Sequence, residues 1–300
     1  MIETLQEMKK QFGKKILFNE ILSKYSWFNL GGKADILFKP DNIEELTSFL
    51  KKNKLKSINI LGAGSNTLIR DGGVKNVTIK LSSKFSYLKL RNNNIIEAGA
   101  ATLDKKLSNY ATENSLSGME FLSGIPGSIG GAIKMNSGCF GKEVSEILHS
   151  VKVIDLKGCI KELPAKDINF VYRGSDLPSD LIVLSAQFIG KKLSISEIKK
   201  KQEDILKKKK LAQPSQIKTC GSTFKNPSSQ KAWELIKNSG CNNFKVGDAK
   251  ISEKHSNFFI NNGKATSNDI EQLIYKVQKK VLEMTNIKLE LEIKIIGYDK

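Results

Sequence analysis

Two glycine-rich loops have residue types and spacing suited to binding a phosphate. The first, Gly62-Ala63-Gly64-Ser65-Asn66, follows a predicted strand. A tight loop of small residues can aim several backbone N–H groups at an anion without a helix. The loop lacks the third glycine of the dinucleotide pattern, where Thr67 stands, and the Gly-Lys-Ser/Thr of the Walker pattern. By itself it is equally well interpreted as a plain β-turn.

The second loop is Ser123-Gly124-Ile125-Pro126-Gly127-Ser128-Ile129-Gly130-Gly131-Ala132, and Asn136-Ser137-Gly138 follows it closely. Small residues around one proline give a rigid turn whose backbone can approach a ligand. Two such loops, each after a strand, predict a diphosphate bridged between sheet edges. The spacing leaves the identity of the nucleotide open.

Three later segments carry polar side chains. Tyr172-Arg173-Gly174-Ser175 lies between predicted strands, Gly221–Pro227 is a polar turn, and Leu289–Gly297 alternates carboxylates with aliphatic residues. A surface ion pair, a turn cap and a solvated strand face are the plainer interpretations, and they are favoured for each segment taken singly. Ser222 lacks the Gly-x-Ser-x-Gly elbow, so a hydrolase nucleophile is not indicated.

The composition argues against several other classes of protein. The formal charge is +18, but the lysines are spread along the chain and the dense block Lys199–Lys210 has few aromatic neighbours. A solvated surface is therefore favoured, with a basic nucleic-acid-binding protein kept as the alternative from another class. Four cysteines without a C-x-x-C pair, and only two histidines, predict neither a zinc site nor a disulfide framework.

The chain is expected to be cytoplasmic. No stretch approaches the ~18 uncharged apolar residues of a membrane helix. Residues 1–15 lack the apolar segment of a signal peptide and contain Glu3 and Glu7.

The elements that must position these loops alternate between strands and helices. Hydrophobic periodicity and turn signals predict strands at Ala34–Lys39, Ser57–Leu61, Val77–Leu81, Tyr87–Leu90, Ile95–Glu97, Val151–Asp155, Leu181–Phe188, Asn257–Ile260 and Lys288–Ile296. They predict helices at Ile43–Asn53, Thr102–Ser115, Ser194–Lys210, Ala232–Asn238 and Ser267–Met284, the second with a capping residue at its start. The alternating strands and helices end near Lys191–Lys210, where a charged helix is followed by extended, polar sequence. This change predicts a domain boundary there.

Seven segments, in this order, resemble the UDP-N-acetylenolpyruvoylglucosamine reductase family, and the resemblance runs from about Tyr25 to Gly297. The segments are Tyr25-Ser26-Trp27-Phe28-Asn29-Leu30-Gly31-Gly32, Gly62–Asn66, Gly124–Ala132, Tyr172-Arg173, Gly221–Pro227, His255-Ser256-Asn257-Phe258 and Glu292–Gly297. Any one would be weak, but seven in order are specific.

The resemblance implies an α+β fold. A two-lobed FAD-binding domain of the vanillyl-alcohol-oxidase (PCMH) type would precede a C-terminal α+β domain for a UDP-sugar. The expected limits are an N-terminal helical extension at 1–24, the FAD domain at 25–192 with lobes at about 25–82 and 83–192, and the substrate domain at 193–300, whose final strand returns to the active site.

The resemblance also implies a reaction in two halves and a set of site residues. NADPH reduces FAD, and an enolpyruvyl UDP-sugar then takes the hydride. Arg173 would stabilise the enolate, Ser222 would donate the proton, and Glu292 would help to orient the carboxylate. Tyr172, Lys225 and Asn226 would contact the substrate. The cofactor would be held by Gly62, Ala63, Gly64, Ser65, Asn66, Gly124, Pro126, Gly127, Ser128, Gly130, Gly131, Ala132 and Asn136.

Several finer expectations follow. FAD would be bound non-covalently, since neither histidine lies in a loop placed to tether it. Arg173 and Ser222 are only 49 positions apart, which suggests the family's shorter form without a tyrosine-bearing lid. Position 174, often acidic in the family, is glycine. The expected partners are the UDP-sugar and NADPH, with no metal, nucleic acid or membrane insertion, and a monomer is favoured. The alternative enzyme is another FAD-dependent oxidoreductase of the same fold.

Overall fold

The computed structural model describes residues 5–53, 57–92, 94–228 and 230–300. The first four residues of the expected N-terminal extension therefore lie outside the described residues. Helices span α1 (Leu5–Phe12), α2 (Ile43–Asn53), α3 (Asp104–Glu113), α4 (Ile129–Lys134), α5 (Ile195–Ala212), α6 (Ala232–Asn238) and α7 (Ser267–Thr285). Strands span β1 (Ile16–Ile21), β2 (Lys33–Phe38), β3 (Asn59–Ile60), β4 (Thr67–Ile69), β5 (Val74–Ile79), β6 (Leu88–Asn92), β7 (Ile95–Gly99), β8 (Leu116–Ser117), β9 (Gly138–Cys139), β10 (Lys142–Glu143), β11 (Leu148–Ile154), β12 (Ile160–Pro164), β13 (Phe170–Val171), β14 (Gly174–Ser175), β15 (Ile182–Ile189), β16 (Lys191–Lys192), β17 (Lys245–Val246), β18 (Ala249–Ile251), β19 (Phe259–Asn261) and β20 (Lys294–Ile296).

Helix α2 coincides with its prediction because each of its signals is used. The Asn42 side chain accepts a hydrogen bond from the Glu45 backbone N–H at 2.8 Å, as an N-terminal cap does. The apolar residues at helical spacing, among them Leu46, Phe49 and Leu50, are buried.

Helix α3 begins two residues later than expected, and the predicted cap at Thr102 is wrong. Thr102 Oγ1 donates to the backbone carbonyl of Tyr87 at 3.1 Å, and the residue at the cap position, Leu103, makes no capping hydrogen bond. The Thr102 hydroxyl is therefore hydrogen-bonded to this carbonyl and does not cap the helix.

The chain divides into two compact units. The first contains residues 1–18, 36–63 and 76–208. It holds a five-stranded antiparallel sheet in the order β12-β11-β15-β7-β6, and a four-stranded sheet in the order β1-β2-β5-β3 whose strands β1, β2 and β5 contain the unit boundaries. Its apolar side chains form two cores. In one, the rings of Phe38 and Phe49 stack at 4.2 Å. The other lies around α3, α4 and the five-stranded sheet.

The second unit contains residues 19–35, 64–75 and 209–300. It holds the antiparallel sheet β17-β18-β19 and the parallel pair β4-β20, and α7 packs on the three-stranded sheet. Two contacts explain why the early segments belong here. Asp71 accepts hydrogen bonds from the backbone N–H groups of Ser267 and Asn268 at the start of α7, both at 3.1 Å. Buried Asn261 donates to the Phe28 carbonyl at 2.9 Å.

These units are grouped differently from the expected domains, because residues 19–35 and 64–75 pack with the C-terminal segment. The domain limits drawn from the resemblance concern binding roles, and they stay a prediction. Within the described residues, no helix combines the length and apolar character needed to cross a membrane.

Asn261 provides a stability test for the second unit. Its side chain also accepts from the backbone N–H groups of Gly263 and Ala265, so Asn261→Ala leaves three backbone groups unpaired. We expect the free energy of unfolding to fall by about 2–4 kcal/mol. Urea unfolding followed by tryptophan fluorescence reports on this unit, since Trp27 and Trp233 both lie in it. The exposed neighbour gives the control Asn262→Ala, and an equal loss in both variants would contradict the assignment.

Candidate functional site

The first glycine loop presents a run of backbone N–H groups that the protein does not use. Leu61 N–H still donates to the Ile79 carbonyl at 2.9 Å, but the five N–H groups from Gly62 to Asn66 donate to no residue that the structure describes. Three of the loop's carbonyls are used: those of Gly62, Gly64 and Asn66 accept from Lys80 Nζ, the Trp27 N–H and the Lys294 N–H, respectively. The carbonyl side is therefore fixed while the donor side is open, as in an anion-binding nest.

Gly64 is required by this geometry before any ligand is considered. Its φ is +70°, and a Cβ there would lie 1.9 Å from the carbonyl oxygen of Tyr25. No side chain fits that space, and the left-handed backbone disfavours one in any case. Replacing Gly64 would disturb the fold as well as any bound anion.

The second loop also leaves backbone donors open. The N–H groups of Ser128 and Gly131 donate to no described residue, whereas those of Ile129 and Gly130 donate to the carbonyls of Thr102 and Ala100 at 2.9 and 3.0 Å. Two anchored donors between two open ones keep the loop rigid while presenting N–H groups to a ligand. Both loops thus fit a cofactor that carries phosphates.

A buried carboxyl supports the second loop from below. Asp104 is fully buried at the start of α3, and neither of its carboxyl oxygens has a hydrogen-bond partner among the described residues. A Cβ at Gly127 would lie 2.4 Å from Asp104 Oδ2, so Gly127 is fixed by this contact. Burial raises the pKa of the Asp104 carboxyl well above its ordinary value.

Arg173 occupies the tight turn between β13 and β14, where Val171 pairs with Gly174. Its φ of +57° is left-handed, a conformation that glycine or asparagine usually supplies. Arg173 Nη2 donates to the Gly138 carbonyl at 2.8 Å, and the guanidinium carbon lies 4.9 Å from the centroid of the Tyr172 ring. A strained backbone that aims a charged side chain is typical of a functional residue.

Asn136 was predicted to bind the cofactor, but its side chain is buried and engaged within the protein. Asn136 Nδ2 donates to Glu143 Oε2 at 2.8 Å and to the Val171 carbonyl at 3.2 Å, and Oδ1 accepts from the Ser145 N–H at 3.0 Å. The structure thus brings Asn136 together with the turn that carries Arg173.

The polar turn of the second unit lies between two other segments. Thr223 N–H donates to the Asn257 carbonyl at 2.8 Å, and the Thr223 carbonyl accepts from the Glu292 N–H at 2.8 Å. The buried Asn257 side chain forms two further hydrogen bonds with the backbone of Phe224. This arrangement holds Ser222 half-exposed, and its hydroxyl makes no hydrogen bond to a described residue.

The side chains expected to contact substrate are only partly available. Lys225 is half-buried, with Nζ 3.7 Å from Glu290 Oε2. Asn226 Oδ1 accepts from the Ala232 N–H at 3.0 Å at the start of α6. The structure therefore gives Asn226 a capping contact, and substrate contact stays a prediction.

The predicted strand Lys288–Ile296 is wrong in its first part. Only β20 is regular, and Leu291 forms an isolated bridge with Phe224. The Glu292 N–H donates to Thr223 and its carbonyl accepts from Asn66 Nδ2 at 3.0 Å. Glu290 and Glu292 therefore flank this isolated bridge and lie outside the regular strand.

The structure places Arg173, Tyr172 and the second loop in the first unit, and Ser222, Lys225, Asn226 and Glu292 in the second. Four supporting residues were assigned no role from the sequence: Lys80, Asp104, Glu143 and Asn257, although Asn257 lies in one of the segments that carry the resemblance. Glu143 had a usable signal, because Phe140-Gly141 makes a two-residue hairpin turn that pairs Glu143 with Gly138.

Comparisons with known proteins agree with this geometry. Residues 34–164 match the family model "FAD binding domain", and residues 213–296 match the C-terminal domain of UDP-N-acetylenolpyruvoylglucosamine reductase. Two relatives of that name are similar over nearly their whole length. The one from Pelagibacter ubique (strain HTCC1062) is 47% identical over 98% of this chain and 99% of that protein. The one from Wolbachia sp. subsp. Brugia malayi (strain TRS) is 43% identical over 93% and 95%. The crystal structure of the Thermus caldophilus reductase superposes with a TM-score of 0.82 at 33% identity, over 94% of this chain and 98% of that one.

Gly131 allows a cleaner test of the second loop than Gly127 does. A Cβ at Gly131 meets only Ser128 Oγ, at 3.9 Å, so Gly131→Val should leave the fold intact while obstructing a ligand at the open N–H groups. We expect at least about tenfold weaker FAD binding, since a lost or blocked charge-assisted hydrogen bond contributes ~1.5–3 kcal/mol. Titration of the apoprotein with FAD measures this. Unchanged affinity would show that the ligand does not approach Gly131.

Asp104 predicts a pH dependence of stability. Its folded pKa is raised, so between the unfolded value of 3.8 and the folded value the folded chain holds a proton that the unfolded chain releases. The free energy of unfolding then falls as the pH rises through this window, by about 1.4 kcal/mol per pH unit. Asp104→Asn does not titrate, so its stability relative to wild type should increase above pH 4. Urea unfolding followed by far-ultraviolet circular dichroism from pH 4 to 8 measures the difference. The exposed Glu113→Gln, at the other end of α3, is the control. A pH-independent difference would show that Asp104 ionises normally.

Proposed function

The chain belongs to the UDP-N-acetylenolpyruvoylglucosamine reductase family, and on that premise we propose that it reduces the enolpyruvyl ether of UDP-N-acetylenolpyruvoylglucosamine with NADPH. The product is UDP-N-acetylmuramate, a precursor of peptidoglycan. The observation that carries the proposal is the pair of loops with open backbone N–H groups. The same chain contains the FAD-binding domain and the C-terminal domain of the reductase family.

The cofactor is FAD, and the open N–H groups of Gly62–Asn66, Ser128 and Gly131 would hold its diphosphate. When bound, FAD supplies two-electron chemistry, accepting hydride from NADPH and passing it to the sugar. Lys80, whose Nζ donates to the Gly62 carbonyl, would add a positive charge near the loop. Burial lowers the pKa of Lys80, and a bound phosphate would favour its charged form.

Arg173 would bind the carboxylate of the enolpyruvyl group. Hydride addition to the β-carbon leaves negative charge on the α-carbon, delocalised into that carboxylate. A guanidinium held in advance stabilises this charge better than mobile water does. The side chain of Arg173 is only 18% exposed, and its turn and its contact with Gly138 fix it. Tyr172 stacks beside it and would contact the same group.

Ser222 would give its hydroxyl proton to the α-carbon, completing the saturated ether. The half-exposed hydroxyl is held by backbone contacts on both sides of its turn and is not engaged with a described residue. A serine is a weak acid in water, so positioned neighbours must assist. Lys225, in the same turn, would contact the substrate, and Glu292 would help to orient the substrate carboxylate. Asn226 would orient the sugar.

Two finer proposals accompany the reaction. The 49-residue separation of Arg173 and Ser222 supports the shorter subtype without a tyrosine lid. The four cysteines are thiols, which supports work in a reducing compartment, the cytoplasm.

The function is tested directly by the second half of the reaction. We expect the enolpyruvyl UDP-sugar to reoxidise the NADPH-reduced protein without oxygen, with recovery of the flavin absorbance and one UDP-N-acetylmuramate formed per flavin. UDP-N-acetylglucosamine, which lacks the double bond, is the control and should leave the flavin reduced. Persistence of reduced flavin with both sugars would contradict the proposal.

Ser222→Ala should separate the two halves of the reaction. Reduction by NADPH needs no proton on the substrate's α-carbon, so it should change less than twofold. Reoxidation by the enolpyruvyl sugar should slow by about 10²–10⁴-fold, the usual contribution of a general acid. Stopped-flow absorbance follows each half separately. The exposed Ser228→Ala, directly after the same turn, is the control. Equal slowing of both halves would point to a displaced flavin, and no slowing would make Ser222 a turn residue only.

A further inference from the structure

We propose that Glu143 is a positioning residue that holds Arg173 for the reduction step, with Asn136 as its support. The inference rests on the proposed role of Arg173 and adds a residue to it. Glu143 lies on β10, directly opposite Gly138 of β9 in the hairpin. The same hairpin thus provides a carbonyl and a carboxylate to one guanidinium.

The two contacts fall on different nitrogens of Arg173. Nη2 donates to the Gly138 carbonyl at 2.8 Å, and Nη1 lies 3.9 Å from Glu143 Oε1. A guanidinium is planar, so contacts on two separate nitrogens fix its plane. The separation of 3.9 Å is that of an ion pair, so Glu143 acts on Arg173 mainly through its charge.

The Glu143 carboxylate is itself held by a buried amide. Asn136 Nδ2 donates to Glu143 Oε2 at 2.8 Å, and the same nitrogen donates to the carbonyl of Val171, two residues before Arg173. Asn136 follows the second loop and α4, so this amide connects the loop, the hairpin and the arginine turn. A displacement of any one of them is transmitted to Arg173.

Gly138 allows the hairpin to come this close. A Cβ there would lie 2.3 Å from the Lys142 carbonyl oxygen and 2.9 Å from Glu143 Cγ. The glycine therefore lets the Glu143 side chain pass over the strand opposite. A larger residue at position 138 would displace the Glu143 side chain from its place beside Arg173.

Arg173 needs such support because its own backbone is strained. With a φ of +57°, the arginine occupies a turn position that costs about 1 kcal/mol or more for a residue with a side chain. Stabilising an enolate depends on donors that are already in place when the charge develops. An arginine in a strained turn holds its orientation only where neighbours fix it, and Glu143 is the acidic side chain on the facing hairpin.

The test is the reoxidation half-reaction of the FAD-loaded protein in single and double variants. Glu143→Gln keeps an oxygen for Asn136 but removes the charge. We expect its limiting rate of reoxidation by the enolpyruvyl sugar to fall about fivefold or more, with an unchanged rate of reduction by NADPH and unchanged flavin content. Glu143→Ala also removes the acceptor of the Asn136 hydrogen bond, so its rate of reoxidation should fall further, by about 10–100-fold.

Two controls separate positioning from a general structural effect. Glu146→Gln changes a carboxylate in the same turn that accepts from the Glu143 N–H and from Lys142, and it should stay within twofold of wild type. In an Arg173→Gln background, which has no charge for Glu143 to attract, Glu143→Gln should add less than twofold, because its effect passes through the charged guanidinium.

The outcomes are distinguishable. A Glu143→Gln rate within twofold of wild type overturns the inference, whether or not Glu143→Ala folds. So does an equal loss in Glu146→Gln, or a full additional loss in the Arg173→Gln background. Wild-type protein that is not reoxidised by the enolpyruvyl sugar at all would instead contradict the proposed function.

Discussion

The first glycine loop presents more backbone N–H donors than the described residues of the protein accept. Five consecutive backbone N–H groups, from Gly62 to Asn66, have no acceptor among the described residues, while the carbonyls of Gly62, Gly64 and Asn66 are all engaged. Gly62 is exposed and Ala63, Ser65 and Asn66 are half-exposed, so these donors can bind either water or a ligand. In the proposed function, the diphosphate of FAD would accept from several of them at once.

The supporting residues follow from that requirement. Gly64 is glycine because Tyr25 leaves no room for a side chain, and Gly127 is glycine because the buried Asp104 carboxyl lies against it. These glycines shape the loops, whereas at Gly131 the added space is open to a ligand. The same logic extends to Arg173, whose strained turn is fixed by the hairpin of Gly138 and Glu143. In the proposed function, rigid backbone would hold the cofactor and a rigid hairpin would hold the charge that the reaction needs.

The sequence predicted elements well where the signals were local. Helix α2 and helix α6 have their predicted bounds, because their apolar residues and their ends agree. The fold class and FAD binding are confirmed by the family matches. Predictions that depended on distant partners were less accurate. Thr102 was expected to cap α3, but its hydroxyl donates to the carbonyl of Tyr87, just before β6. The last strand was expected to run from Lys288, but the polar turn interrupts its first half.

The roles of single side chains were the hardest to predict. Asn136 follows the second glycine loop in sequence, yet its amide is hydrogen-bonded to Glu143, Val171 and Ser145. These residues come close to Asn136 only when the chain folds. Glu143 lies outside every motif that carried the resemblance. Its partner, Arg173, is 30 residues away along the chain, so no local pattern connects the two. Periodicity and motif spacing record neighbours along the chain, and these contacts are between strands. The roles of Arg173, Ser222 and Glu292 remain proposals for the same reason.

Amide hydrogen exchange in the first loop shows whether its open N–H groups bind the diphosphate of FAD. Exchange is measured on the segment Gly62–Asn66 in apoprotein, with FAD, and with riboflavin, which has the same ring but no phosphate; the amides of α7 serve as an internal reference. If the open N–H groups hold the diphosphate, FAD should slow their exchange by at least about tenfold while riboflavin has little effect. Equal exchange in all three states would show that the loop does not bind the phosphates, and the account of its open donors would be wrong.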